Sequence, residues 1–244
     1  MIKRTLPAAV ALAVLGPAGC RPAPAPPGEP QPSPSAAESA ALREPARATP
    51  VVRISYPRRG DGRWAIAAGE RSSIGLRYQV LVETGIDGLD PDGFARQVTR
   101  TLDDPRGWRV SLRRVGPGRA HDFTIYLATP RTRDALCGHG TDGYTSCRSA
   151  DRVVLNVARW VKGAPGIGLG VYRQYMVNHE VGHRLGHGHE LCPRPGRPAP
   201  VMQQQTLGLH GCTPNAWPRV GGALYAGASG QYDDPTPPPD RGLE

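Results

Sequence analysis

An α+β domain, mixed in its strand directions and with helices packed on one sheet, is the fold class this chain predicts. Three observations carry it: a strand-like run at Leu76 to Val82, a capped helix start at Asp90 to Gly93, and a long amphipathic helix at Val171 to Leu185 after further strand-like runs. Leu76-Arg77-Tyr78-Gln79-Val80-Leu81-Val82 alternates and contains residues that favour strands. Asp90 is placed to cap the helix that follows, and Pro91 has the fixed φ that suits a first helical turn. Phe94, Val98 and Leu102 recur at four-residue spacing and turn inward, and Pro105-Arg106-Gly107 ends the segment. Trp108 to Val115, Asp122 to Ala128 and Val153 to Val157 are the remaining strands, the last after a Gly-rich loop holding Cys137 and Cys147. On the long helix, Tyr172, Tyr175, Met176, His179 and His183 share one stripe. Val177, Val181 and Leu185 form a second, apolar stripe that faces the sheet.

That helix ends in the most specific motif of the chain, His179-Glu180-Val181-Gly182-His183 extended through Gly186 to His189, or H-E-x-x-H-x-x-G-x-x-H. His179 and His183 are one helical turn apart on one face, so two imidazoles can reach one ion. Glu180, beside the first of them, is placed to accept a proton from water at the metal. Gly186 can take the left-handed conformation that ends a helix and turns the chain back. A third ligand then comes from His189, with His187, Glu190, His210 or an upstream histidine (His121, His139) as rivals. Between Arg184 and Tyr232 the only acidic residue is Glu190, so a distant acidic ligand has no candidate downstream. His187 serves only if the helix runs on through Gly186, and Gly186 with Gly188 argues for a turn there, which puts His189 first. His139 and Tyr175 are candidates to assist the chemistry.

The ends of the chain read as address and tether. Met1-Ile2-Lys3-Arg4 and the apolar run from Leu6 to Leu15 have the layout of a secretory signal over residues 1–20. Leu15-Gly16-Pro17-Ala18-Gly19-Cys20 fits a lipoprotein signal with Cys20 lipidated, and ordinary cleavage near Ala18 is the alternative. Residues 21–50 are a Pro/Ala-rich tether, and residues 233–244, with four prolines, read as a disordered tail. One compact domain is expected over residues 51–232, extracellular, on the cell surface or secreted, with the membrane reached only through Cys20. Setting Cys20 aside leaves four cysteines, hence two disulfides. Three connectivities are possible, and Cys137 with Cys147 and Cys192 with Cys212 is the simplest. The net charge of +9 is nearly all Arg. It suits anionic wall polymers or acidic substrates; no basic-aromatic motif points to nucleic acid.

The extended motif resembles that of the metzincin zinc peptidases, and Pro200-Val201-Met202-Gln203 lies where those enzymes carry a Met in a tight turn. The run from Tyr172 to Pro218, through Tyr172-Arg173-Gln174-Tyr175, the histidine motif and Pro200 to Gln205, also resembles an uncharacterised family of secreted bacterial proteins with a metzincin-like core. That likeness extends less distinctly back to about Arg77. The resemblance implies a metzincin-like fold: a twisted mixed sheet packed on the active-site helix, then an irregular C-terminal part with Met202 forming an apolar floor under the metal. It implies a zinc-dependent endopeptidase, with Zn2+ on His179, His183 and His189, Glu180 as catalytic base, a peptide or protein as substrate, and a monomeric chain. It also implies an edge strand that pairs with extended substrate, for which Val153 to Val157 is the candidate. Several metzincin groups have a Tyr two residues after the Met; Gln204 stands there instead. The rival functions are a zinc hydrolase of cell-wall peptides or other amides, and a non-catalytic metal-binding envelope protein.

Overall fold

The computed structural model describes residues 53–70, 74–138 and 142–243. The proposed signal, Cys20, the tether and His139 lie outside the described residues. Among the described residues, eight strands and four helices follow in order: β1 (Trp64–Ile66), β2 (Leu76–Glu83), α1 (Pro91–Leu102), β3 (Leu112–Arg114), β4 (Phe123–Ala128), α2 (Pro130–Cys137), β5 (Cys147–Ser149), β6 (Arg152–Asn156), α3 (Val157–Lys162), α4 (Leu169–Arg184), β7 (Arg219–Val220) and β8 (Ala223–Leu224).

The main sheet is mixed, as expected. Its order is β1-β2-β4-β6-β5, with β3 also on β2. β2, β4 and β6 run parallel, as does β3 on β2, while β1 and β5 are antiparallel to their neighbours. Alternation along the central strands explains the layers. Val80, Val82, Ile125, Leu127, Val153 and Leu155 share one buried cluster with residues of α1, α3 and α4. Ala128 and Val154 point the other way, onto Cys137 of α2. Parallel neighbours buried on both faces account for the near-continuous apolar runs in β4 and β6.

The predicted helices start and stop for the expected reasons. The Asp90 carboxylate accepts from the backbone N–H groups of Asp92 and Gly93, and Phe94, Val98 and Leu102 are buried. On α4, Val177 and Val181 are buried and Leu185 is packed against the same core. Gly186 follows at φ 96°, the left-handed turn expected of it.

Several elements depart from expectation. The strand over Trp108 to Val115 shrinks to Leu112–Arg114, since Trp108 turns aside and donates its indole N–H to the Asn178 carbonyl on α4. The Gly-rich loop after β4 begins with a helix, α2, entered through Pro130. Val153 to Val157 is not the edge strand: β6 lies between β4 and β5, Val157 already opens α3, and β5 forms the edge. The β5–β6 turn holds Ala150 at φ 53°, a position usually marked by Gly or Asn, so the sequence carries no hairpin signal there. Both local disulfides form, Cys137–Cys147 and Cys192–Cys212.

After α4 the chain is largely irregular, apart from the β7–β8 hairpin. Residues 233–243, expected to be a disordered tail, lie along the domain instead. Asp240 is buried in a bidentate pair with Arg159 at 2.9–3.1 Å, and Leu243 bridges to Tyr56. A buried arginine needs a carboxylate partner, and the tail supplies it. Among the described residues no helix is long and apolar enough to cross a membrane.

Candidate metal centre

Three imidazoles meet at the C-terminal end of α4. The Nε2 atoms of His179 and His183 are 3.2 Å apart, and those of His183 and His189 are 3.1 Å apart. The outer nitrogens all face oxygens. His179 Nδ1 lies 2.8 Å from the Val201 carbonyl, His183 Nδ1 2.9 Å from the His187 carbonyl, and His189 Nδ1 3.0 Å from Gln231 Oε1. An oxygen of this kind only accepts, so each ring carries its hydrogen on Nδ1 and turns a bare Nε2 inward. Bare nitrogens this close repel unless a cation lies between them. Among the described residues this trio is the cluster of His, Cys, Asp and Glu that could hold a metal ion. Burial and the neighbouring imidazoles hold His179 well below its usual range, and burial holds His183 down at about 4. Both effects keep the rings neutral, as ligands must be.

The rivals for the third ligand are otherwise engaged. The His187 ring stacks on Trp108 with centroids 4.2 Å apart, and its contribution is the carbonyl behind His183. Glu190 accepts from the Gly227 amide. His210 pairs with Asp234 at 2.8 Å, and His121 contacts Arg119 and Thr124.

Met202 is buried in the core beside α4. The turn that carries it closes with a hydrogen bond from Gln203 N–H to the Pro200 carbonyl and presents the Val201 carbonyl to His179. Met202 Sδ and the Trp108 ring crowd Gly182, leaving no room for a Cβ there. That explains a glycine inside the motif helix to which the sequence assigned no role.

Glu180 lines the same cavity, of about 490 Å³, as the three histidines. Burial pushes its carboxyl up to about 8, against the opposing influence of Arg133. Arg133, on α2, is itself buried and pairs with Asp134 and Asp142 at 2.9 and 3.1 Å. Asp142 in turn accepts from the amides of Tyr144 and Thr145, so this network shapes the loop that leads into β5. β5 and the residues before it, Thr145 to Arg148, form a wall of the cavity. Arg148 is exposed on that wall, and no acidic side chain among the described residues pairs with it. Gln204 also lines the cavity. The Tyr175 hydroxyl donates to the Gln203 carbonyl at 3.0 Å, which commits its proton to the fold.

Sequence reasoning missed the residues that hold the floor. Gln205 donates to the Pro200 and Asn215 carbonyls and accepts from the Asn215 amide, and Asn178 donates to the Ala216 carbonyl. Isolated Gln and Asn in an irregular segment carry no pattern; their burial is the signal, and burial is tertiary.

The family model described as a protein of unknown function (DUF3152) matches residues 53–218. This chain belongs to that family. No curated protein and no solved structure matches it. The matched span covers the motif helix, His189 and Met202, and stops short of Gln231.

Proposed function

We propose that this protein is a zinc-dependent peptidase of metzincin-like design, exported and held at the cell surface through Cys20 or released. The observation that carries the reading is the convergence of three Nε2 lone pairs beside a buried carboxylate in an open cavity. The donor set fits zinc. Nitrogens about 2.1 Å from a tetrahedral ion lie roughly 3.4 Å from one another, close to the spacings between His183 and its two neighbours. The carbonyl behind each Nδ1 is the partner that metal-binding imidazoles use to fix their tautomer.

His179, His183 and His189 would hold the ion. When bound it supplies Lewis acidity, polarising the scissile carbonyl and acidifying a water. Glu180 does the proton work. Its carboxylate accepts a proton from water as the C–O bond to the carbonyl carbon forms, and then delivers it to the leaving amide nitrogen as the C–N bond breaks. A carboxyl whose affinity for protons is raised by burial suits both halves of that transfer, and a nearby cation favours its charged form at the start.

The free edge of β5 borders the cavity and offers backbone groups to an extended peptide. Arg148 on that edge favours substrates with a carboxylate near the scissile bond, which includes acidic wall peptides. The test uses the full-length chain: zinc content by elemental analysis, and cleavage of peptide and wall-fragment libraries by wild type and Glu180→Gln. Bound zinc with cleavage that vanishes in Glu180→Gln supports the reading. Cleavage surviving in Glu180→Gln overturns the mechanism, and zinc with no cleavage of any substrate favours the non-catalytic metal-binding alternative.

A further inference from the structure

We infer that the C-terminal segment 227–232 is the positioning element for the third ligand, with Gln231 fixing the orientation and tautomer of His189. This rests on the three-histidine site proposed above and extends it to residues beyond the family-matched span of 53–218.

The need for such an element follows from how His189 is held. His179 and His183 stand on α4, whose backbone fixes their directions. His189 stands after Gly186 and Gly188, on a stretch whose own backbone preferences specify little. The motif side contributes one backbone tie close to it, Glu190 N–H to the Met202 carbonyl at 3.2 Å. The rest comes from segment 227–232. Gly230 N–H donates to the His189 carbonyl at 3.0 Å, and Leu191 N–H donates to the Ala228 carbonyl at 2.8 Å. Glu190 and Ser229 form an antiparallel bridge. Gly227 N–H donates to the Glu190 carboxylate at 3.0 Å, and Cys192 N–H donates to the Tyr232 hydroxyl at 3.2 Å. The segment is thus paired with residues 189–192 along its length, and near its C-terminal end Gln231 Oε1 meets His189 Nδ1. Beyond it, Tyr232 stacks on His210 with centroids 3.4 Å apart, and Asp234 pairs with the same ring. The pairing is close: a Cβ on Gly227 would run into the backbone carbonyl of Leu191.

The test measures zinc affinity by competition with a chromophoric chelator, on full-length protein. Removing an oxygen behind a metal-binding histidine typically weakens the site about tenfold or more. Gln231→Leu is expected to bind zinc about tenfold more weakly, with the melting temperature of the metal-free protein little changed. Gln231→Glu keeps an acceptor oxygen and restores affinity. Gly227→Val, which displaces the segment without touching a ligand, is expected to weaken zinc at least as much as Gln231→Leu. Long-range ¹H–¹⁵N spectra of the metal-free protein should show His189 protonated on Nδ1 in wild type and a tautomer mixture in Gln231→Leu. Affinity within twofold of wild type in both Gln231→Leu and Gly227→Val overturns the inference. His183→Ala separates the two levels: if it binds zinc as tightly as wild type, the three-histidine site is wrong and the inference falls with it.

Discussion

The two halves of the candidate metal centre are built in opposite ways. His179, Glu180 and His183 project from α4, a helix whose apolar stripe is packed into the main core. His189 stands on an irregular stretch, half-exposed, held by Met202, the Cys192–Cys212 loop and residues 227–232. Rigidity in the first half comes from the i, i+4 geometry of a buried helix. In the second it is assembled from separate hydrogen bonds contributed by segments distant in sequence. The spacing of His179 and His183 is set by local helix geometry, whereas the position of His189 depends on the segments that surround it.

Perturbing the helix half should have the largest effects. Glu180→Gln is expected to lower peptide cleavage by roughly 10²- to 10⁴-fold while zinc content stays near wild type, since in the proposed mechanism the carboxylate moves protons and holds no ion. Losing zinc in that variant would contradict the separation of roles. His179→Ala or His183→Ala should abolish stoichiometric zinc, and His189→Ala should leave a weak two-histidine site. Equal losses in all three, followed by isothermal titration, would erase the difference between the halves.

The loop half is tested by its disulfide. Replacing Cys192 and Cys212 together with Ser frees a 20-residue span and should cost about 3 kcal/mol of stability, read from denaturant unfolding. Zinc affinity should fall with it, and the α-helical signal should persist.

Titration gives a finer contrast. Glu180 ordinarily titrates near 4.5 and is pushed up to about 8 in the fold. Between those values the folded chain keeps a proton that the unfolded chain has lost, so stability of the chelator-treated protein falls as pH rises across that window. Glu180→Gln should remove this slope, and a melting-temperature difference that does not grow from pH 5 to 8 would refute it. His183 runs the other way. Its folded value of about 4 lies below the ordinary 6.5, so the metal-free fold loses stability as pH falls through that interval.

The smallest effect is expected at the cavity wall. Arg148→Ala should reduce kcat/KM severalfold for peptides with an acidic residue near the cleavage point and leave neutral peptides unaffected. A uniform loss would assign Arg148 to the shape of β5 instead.

Much of the helix half was legible from residue order. A short-period motif states its own geometry, and Gly186, Gly188 and the lack of acids from 191 to 231 ranked His189 above its rivals. The edge strand was not legible, because β5 is three residues long and turns at Ala150 without a turn residue. The stretch from 233 on reads as a disordered tail because of its prolines; its place along the domain comes from Asp240 meeting Arg159 and from the bridge between Leu243 and Tyr56, partners far away in the chain.

The sequence by itself determined the mixed α/β class, the strands β2 and β4, the helices α1 and α4, and the placing of His179, Glu180 and His183 on one helical turn; it ranked His189 and the two local disulfide pairings first and left their rivals open. Each rests on local spacing or chemistry that needs no distant partner. Tertiary structure alone decided which strand edges the cavity, how the Nδ1 atoms are satisfied, why Gly182 is small, and that Gln231 stands behind His189. Those depend on burial and on hydrogen bonds between segments far apart in the chain, where residue order carries no period to read.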